Sequence, residues 1–524
     1  MTAMDGKAVE MPACTKDHAK PPGGACRRRF ARVSFAGLSG AARRSEPRRK
    51  GASPVSTPCY AGLCAPLCLA AILALALSLT GCHLTISPKG EAEERARAER
   101  AGAVFSGPVE KRPLPDLATS PTLPLVLEYA FNANGDIEAA YREWRAALER
   151  IPQAGALPDP RLNFNVLFNV TNVKSFSDVL QNASLMLEQE FPGRGKRPAR
   201  AEVALAQARG AGEKFRAEKY RLQKRAIGAY SDLLLNRSFL DLNAETLRLL
   251  KETYEVALHR YHAMSDETQV DLRKIETEIE VAESEKRELG IRRGSSTAEL
   301  NGVLNRAANA PLGALQFPLL TRPAESEADL FARAVRSNPD LGALRREIEA
   351  RGAAQVLADL EKRPDLKISG GAEAGGTGSI MPSVGAEINL PVNRARIRAG
   401  IAEALAMREA AEARLRSLSS DVQARVVMAL ASLRDAERVL KDYRERIIPQ
   451  AKSILEIQQT TYGSGGGDLL DILDTERLLV DYRKMTARAE SDRLRSLSEL
   501  EEAIGEDLFQ FIPGGEAEGA AAHD

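Results

Sequence analysis

Alternating apolar and polar residues predict four β-strands in this chain. The four segments lie at about 160–172, 181–191, 365–375 and 380–391. In the first, the even residues from Leu162 to Val170 are apolar, and the odd residues except Leu167 are polar. Successive strand residues point to opposite faces, so a period of two predicts a sheet with one apolar and one polar face.

A very long helical segment follows each pair of strands. From about Arg197 to Tyr261, and again from about Arg396 to Tyr462, leucines and tyrosines recur at spacings of three, four and seven residues. Such spacing is typical of a coiled-coil seam. Returning helices are predicted at about 267–308 and 467–508, which makes two helical hairpins. Pro449 is expected to kink or interrupt the second long helix, because proline cannot donate a backbone hydrogen bond.

The tip of the second hairpin is a glycine cluster, Tyr462-Gly-Ser-Gly-Gly-Gly-Asp468. Glycine tolerates positive φ at low cost, so this stretch predicts a tight reversal between helices. Asp471 and Asp474 follow three residues apart and share one face of the returning helix. Carboxylates at a helix N-terminus are also favoured by the helix dipole, so their position alone does not indicate a function.

The two halves of the chain resemble each other. Residues 130–137 parallel residues 334–341, and about 200 residues also separate Asp271 from Asp471 and Glu276 from Glu476. We therefore predict an internal duplication of a strand–strand–hairpin unit. The predicted boundaries are a first repeat at 121–310 with its hairpin at about 195–308, a second repeat at 325–510 with its hairpin at about 394–508, and a disordered tail at 511–524.

The N-terminal region has the features of an export signal. An apolar run preceded by basic residues ends in Leu79-Thr80-Gly81-Cys82, and all six cysteines lie at or before Cys82. The four residues resemble a bacterial lipobox, which implies cleavage before Cys82 and its acylation, for example with palmitate. An ordinary signal or a short anchor is the alternative. We expect residues 1–81 to be a leader and signal peptide, whose length indicates an upstream-assigned start codon, and residues 82–120 to be a lipid-anchored linker. A single helix is predicted to follow at about 122–155.

Composition and motifs give no indication of an enzyme. The net charge of +1 gives no argument for nucleic acid, and no Ser/His/Asp or Cys/His set emerges. His259 and His262 have a spacing that could suit a metal, but a solvated pair is favoured because no third ligand is in view. Gly193-Arg-Gly-Lys-Arg197 lacks the phosphate-loop spacing and is expected to turn the chain from strand into helix. We predict no catalytic residues, no metal and no cofactor.

Four strands cannot close a barrel alone, and one hairpin seam cannot bury a core. Assembly of several copies into a ring would solve both problems. Strands of about ten residues also have the length of tilted transmembrane β-strands. A half-buried soluble hairpin is the alternative for any single strand pair. For the whole chain the alternatives are a periplasmic adaptor lipoprotein (a membrane fusion protein) or a lipid-anchored coiled-coil scaffold.

This plan resembles the TolC-like outer-membrane efflux proteins over residues 120–510. The resemblance depends on the duplicated plan, on Gly193-Arg-Gly-Lys-Arg197, on Ile448-Pro449-Gln450-Ala451, and on Tyr462 followed nine residues later by Asp471-Ile-Leu-Asp474. It implies a mainly α fold with a membrane β-barrel: a homotrimer with a twelve-stranded barrel in the outer membrane and a long periplasmic α-helical barrel. It also implies a passive exit duct for efflux or type I secretion, which works with a periplasmic adaptor and an inner-membrane pump of the RND or ABC type. Residues 188–196 resemble the branch that exports heavy-metal cations.

The resemblance also implies roles for individual residues. Asp471 and Asp474 match the acidic rings that constrict the periplasmic entrance, Tyr462 matches a gate residue that ties neighbouring hairpins together, and Asp271 matches its first-repeat partner. One position differs from the archetype: its basic residue four positions before the first ring aspartate is Gly467 here. The closed-state latch is therefore expected to differ.

Overall fold

A computed structural model describes most of the chain beyond its N-terminal region. The described residues are 86–119, 121–168, 180–263, 268–318, 320–321, 326–375, 379–464, 466–508 and 510–511. They all belong to the second of two compact units, which begins at Cys64. The predicted leader, the acylation site Cys82, the end of the first predicted strand and residues 512–524 lie outside the described residues.

The described residues form ten α-helices and six β-strands. The helices are α1 (Glu91–Ala101), α2 (Leu123–Ala133), α3 (Gly135–Gly155), α4 (Lys196–Ala263), α5 (Thr268–Val303), α6 (Glu327–Ser337), α7 (Pro339–Leu360), α8 (Arg394–Asp442), α9 (Ile448–Gly463) and α10 (Leu469–Ile504). The strands are β1 (Arg161–Phe168), β2 (Leu180–Phe191), β3 (Leu320–Thr321), β4 (Asp365–Gly375), β5 (Ile380–Asn389) and β6 (Gln510–Phe511). The mainly helical class predicted from the sequence is confirmed.

Four of the strands form one antiparallel sheet in the order β1–β2–β4–β5. Its register aligns apolar residues across all four strands, as in the row Leu162, Leu187, Gly370 and Val384. A row on the other face, three residues further along the strands, is charged and consists of Glu190, Lys367 and Glu387. Within this row, Lys367 pairs with Glu387 at 3.2 Å. The sheet therefore has one apolar and one polar face, and apolar side chains such as Phe164 and Val384 are 68% exposed.

A buried ion pair joins the first helical hairpin to the sheet of the second repeat. The Lys196 side chain at the start of α4 is only 2% exposed, and its Nζ donates to both carboxylate oxygens of Asp365, at 2.9 and 3.0 Å. Glu361 accepts a longer bond of 3.4 Å from the same ammonium. The Gly193 amide also donates to Asp365, at 2.7 Å. The glycine-rich turn thus brings an amide and an ammonium onto one carboxylate.

Two sequence predictions in the N-terminal part were wrong. Residues 83–120 were expected to be a tether, but they contain α1, and Ala98, Phe105 and Leu117 are buried in the core around Trp144. A single helix was expected at about 122–155, but α2 and α3 are separate. Asn134 separates the two helices, because its side chain accepts hydrogen bonds from the backbone amides that begin α3.

One prediction at the C-terminus was also wrong. Phe511 was predicted to begin the disordered tail, but it pairs with Leu320 in a short two-stranded sheet.

The duplication is visible in equivalent hydrogen bonds of the two repeats. Asn134 caps α3 and donates to the Val303 carbonyl at 2.8 Å, and Asn338 caps α7 and donates to the Ala503 carbonyl at 2.9 Å. Each asparagine thus ties the start of its repeat to the end of the returning helix of the same repeat. The residues just past these ends, Asn305 and Gly505, both have positive φ.

Replacing Asn338 with Ala is expected to lower the free energy of unfolding by about 2 kcal/mol. About 1 kcal/mol comes from the lost helix cap, and about 1 kcal/mol comes from the Ala503 carbonyl, which loses its hydrogen-bond donor. The matched control is Asn393→Ala, since Asn393 is an exposed cap of α8 that accepts from Arg396 N at 3.0 Å. It should cost only about 1 kcal/mol. Denaturant unfolding of both variants checks the difference, and equal losses would contradict a second role for Asn338.

Pro449 affects the second long helix in the predicted way. A π-helical turn, Tyr443–Ile447, separates α8 from α9, and the Ile448 amide donates to the carbonyl of Tyr443, five residues back. The wider π-helical turn accommodates Pro449, which has no backbone N–H to donate and whose ring would crowd the preceding turn of an α-helix. In the first repeat, α4 runs without a break for 68 residues, which corresponds to roughly 100 Å.

No helix in the described part of the chain is long and apolar enough to cross a membrane.

Candidate functional site at the hairpin tips

The reversal between α9 and α10 has the tight geometry that its glycines predict. Gly467 adopts φ +77°, a conformation that residues with a Cβ rarely adopt. The next residue, Asp468, caps α10 by accepting from the Leu470 amide at 3.0 Å. A basic residue at position 467 would therefore be strained here, which gives a physical reason for the departure from the archetype.

Asp471 and Asp474 lie in the first turns of α10, and both are exposed. Asp474 is paired with Arg477 of its own helix at 3.2 Å. Arg477 also binds Glu278 on α5, so it links the two hairpins. Arg477 was not among the predicted site residues, although a basic residue three positions after an aspartate on a helix is a recognisable signal.

Seven residues further along, the same kind of link is repeated. Lys484 on α10 pairs with Glu285 on α5 at 2.7 Å, and both partners are seven positions beyond Arg477 and Glu278. Seven residues make two helical turns, so both pairs lie on the same side of each helix. These two pairs fix the register between the returning helices of the two repeats.

Tyr462 and Asp271 occupy different environments. Tyr462, near the end of α9, is 5% exposed and lies in an apolar cluster that contains residues of both hairpins. Members from the first hairpin include Leu250, Leu272 and Ile275, and members from the second include Leu455, Leu469 and Ile472. Asp271, in the first turn of α5, is half-buried and pairs with Lys274 at 3.6 Å. The four predicted gate residues thus lie near the tips of the two hairpins, with Tyr462 inside the packing and the two α10 aspartates at the surface.

Two histidines lie near this end of α4. His259 and His262 are both exposed on α4. Among the described residues, no group of three or more His, Cys, Asp or Glu side chains could hold a metal ion.

Glu476 is a residue of this region whose environment the sequence did not reveal. It is only 7% exposed, although it lies two residues after the exposed Asp474. It borders a cavity of about 280 Å³ between α4, α9 and α10. Burial raises the pKa of the Glu476 carboxyl to about 7. A hydrogen bond with the Gln459 side chain lowers this pKa, but its effect is smaller than that of burial.

Comparison with known proteins supports the fold. Residues 330–506 match the family model described as outer membrane efflux protein. Among solved structures, VceC from Vibrio cholerae is 18% identical with a TM-score of 0.61, and the match covers 73% of this chain and 96% of VceC. The MtrE outer membrane channel of Neisseria gonorrhoeae is 18% identical with a TM-score of 0.63, over 74% of this chain and 89% of MtrE.

The Campylobacter jejuni CmeC outer membrane channel is 15% identical with a TM-score of 0.62, over 74% of this chain and 86% of CmeC. No curated protein sequence matches the chain. At these identities the solved structures show the fold, and the family model adds the sequence relationship of the second repeat. The resemblance inferred from the sequence is therefore confirmed, because residues 330–506 match the outer membrane efflux protein family and the described chain folds like solved outer membrane channels.

Proposed function

We propose that this protein is the outer-membrane exit duct of a tripartite efflux or type I secretion system. Three copies would form the duct, which conducts substrate passively from an adaptor and an inner-membrane pump of the RND or ABC type to the exterior. The duct itself would carry out no chemistry, so the energy for transport comes from the pump. Acylated Cys82 would anchor each subunit to the outer membrane.

The four-stranded sheet is the observation that carries this proposal. Its apolar face is exposed, and its outer strands β1 and β5 each have one edge without a partner in the sheet. An open edge inside lipid would leave backbone amides and carbonyls unpaired, so only a closed barrel is stable there. Pairing β1 of one copy with β5 of the next closes the sheet, and three copies give twelve strands. The apolar face then meets lipid, and the polar face lines a water-filled lumen.

The aspartates of α10 suit an electrostatic constriction at the other end of the duct. In a trimer, Asp471 and Asp474 would supply six carboxylates around the hairpin tips. A ring of carboxylates attracts cations and repels anions, and a divalent cation can bridge two of them. Outward movement of the tips would open the entrance, and adaptor binding would favour the open state. Tyr462 and Asp271 would contribute to the closed packing.

The adaptor and scaffold alternatives are less well supported. An adaptor of the expected kind has one hairpin flanked by β-rich domains, whereas the described part of this chain has two hairpins and a four-stranded sheet to which both repeats contribute. A lipid-anchored scaffold would have no need of a sheet with an exposed apolar face. Inner-membrane localisation of the protein would favour the adaptor.

The test combines assembly with conductance. Purified in detergent, the full protein should run as a heat-dissociable trimer, and it should form channels in planar bilayers that divalent cations block. In the double variant Asp471→Asn, Asp474→Asn, the divalent block should weaken by about tenfold or more, because the bridging charges are gone. The trimer should persist, since both side chains are exposed.

Asp481→Asn is the matched control, because Asp481 is an exposed aspartate of the same helix, further from the tip. It should leave the block unchanged. A monomer that neither conducts nor binds lipid would overturn the proposed duct. An unchanged block in a conducting double variant would remove the two aspartates from the gate.

A further inference from the structure

Glu476 is a buried acid at the contact between the two hairpins. Its cavity is bordered by apolar side chains of two helices, Leu249 and Val256 from α4 and Ile472 from α10, and by Gln459 from α9. Among the described residues the buried Glu476 Oε1 atom has no hydrogen-bond partner, although the Gln459 side chain hydrogen-bonds to the carboxyl group. A charged carboxylate with such poor solvation is costly, and a neutral carboxylic acid is much less so.

The charged surroundings do not offset that cost. The other titratable groups that border the cavity are Glu252 from α4 and Tyr462 from α9. Glu252 is already paired with Arg248 at 2.7 Å, and no lysine, arginine or histidine is among the described residues that border the cavity. Ionised Glu476 would thus have no cation among the described residues that border its cavity.

The first repeat contains a natural comparison. Glu276 occupies the equivalent position, but its side chain is 40% exposed and pairs with Arg273 at 2.8 Å. It also accepts a bond of 3.3 Å from the Tyr254 hydroxyl. The same residue type at the same place in the repeat is therefore solvated and paired in the first hairpin, and buried without a cation in the second.

We propose that Glu476 makes the packing of the second hairpin tip against α4 dependent on protonation. The neutral side chain stays in the cavity and holds α9 and α10 against α4. The ionised side chain requires water, so its ionisation favours a loosened tip in which α9 and α10 separate from α4. The consequence for conduction, easier opening at higher pH, rests on the proposed function; the change in packing does not.

The direction of the pH effect follows from the raised pKa. The packed tip retains the proton up to about pH 7, whereas an opened tip with ordinary solvation releases it near pH 4.5. The contribution of Glu476 to the packing of the tip is therefore complete below about pH 4.5, decreases as the pH rises, and is lost above about pH 7. The ratio of packed to loosened tip should fall by about tenfold per pH unit across this window, and by on the order of a hundred-fold in total.

Hydrogen–deuterium exchange of the full detergent-solubilised protein tests this inference. Peptides from residues 455–463 and 469–480 should lose protection from pH 5 to pH 7, after correction for the intrinsic exchange rate, and then level off. Glu476→Gln, which stays neutral, should keep these peptides equally protected at every pH. Glu276→Gln is the matched control and should retain the wild-type pH profile.

A flat wild-type profile would overturn the inference without the need for any variant. A pH profile unchanged in Glu476→Gln would overturn it as well, and Glu476→Met repeats the test if the glutamine variant assembles poorly. Exchange is measured without reference to current. A protein that shows the predicted pH profile but does not conduct would therefore refute the proposed duct and leave this inference standing.

Discussion

Asp365→Asn should destabilise the protein by about 3–5 kcal/mol, because the buried ammonium of Lys196 loses its paired charge and keeps only the more distant Glu361 carboxylate, at 3.4 Å. Asparagine keeps the shape and an acceptor for the Gly193 amide, but it places a donor, Nδ2, where Asp365 Oδ2 accepts from Lys196. The opposite change, Lys196→Met, should cost less, about 2 kcal/mol, because the Asp365 carboxylate is 22% exposed and keeps the Gly193 hydrogen bond. Unfolding in denaturant gives both values.

The two changes together should cost less than their sum, since the double variant buries no unpaired charge. Lys362→Met serves as the control: Lys362 pairs with Asp359 at 2.7 Å close by in the chain, but both side chains are at least half exposed. Its loss should stay within about 0.5 kcal/mol. If Asp365→Asn were no more damaging than Lys362→Met, the buried pair would not secure the junction between hairpin and sheet.

Gly505→Ala should destabilise the protein by about 3 kcal/mol. Gly505 has φ +77°, and a Cβ there would lie 2.5 Å from Pro339 Cδ and 2.8 Å from the Ser337 carbonyl oxygen. The left-handed conformation costs a residue with a Cβ about 1 kcal/mol, and overpacking against backbone and a proline ring adds about 2 kcal/mol.

Gly467 supplies the matched comparison, because it has the same φ of +77° but would meet its neighbours only at ordinary van der Waals distances. A Cβ there would come no closer than 3.6 Å to another heavy atom, the Thr461 Cγ2. Gly467→Ala should therefore cost only the conformational part, about 1 kcal/mol. Thermal or denaturant unfolding separates the two variants, and equal losses would mean that the contact with Pro339 relaxes freely.

The sequence was sufficient wherever a pattern is local. The alternation at Leu162 and Phe164 predicts strands and their faces, because the pleat sets the side-chain direction at each residue. The glycines around position 467 predict the reversal, and Pro449 predicts the interruption of the long helix, since both effects arise within a few residues. The duplication was also recognisable, and its equivalent caps at Asn134 and Asn338 lie within the paired segments.

Features that depend on distant residues were missed or predicted wrongly. Asn134 breaks the predicted helix, and its side-chain amide donates to the carbonyl of Val303, which is far away in the sequence. The segment containing Phe105 packs in a core that the composition of that segment does not reveal. The Lys196–Asp365 pair joins residues from different repeats.

The spacing of neighbouring residues was enough to predict the strands, the hairpins, their duplication and the acidic residues at the tips. Whether each of those acids is solvated or buried depends on packing between segments that are far apart in the chain. Glu276 and Glu476 occupy matching positions in the sequence, yet one is paired with Arg273 and the other borders an apolar cavity. The charge state of a carboxyl group depends on the solvent and charges around it, and packing between distant segments sets both.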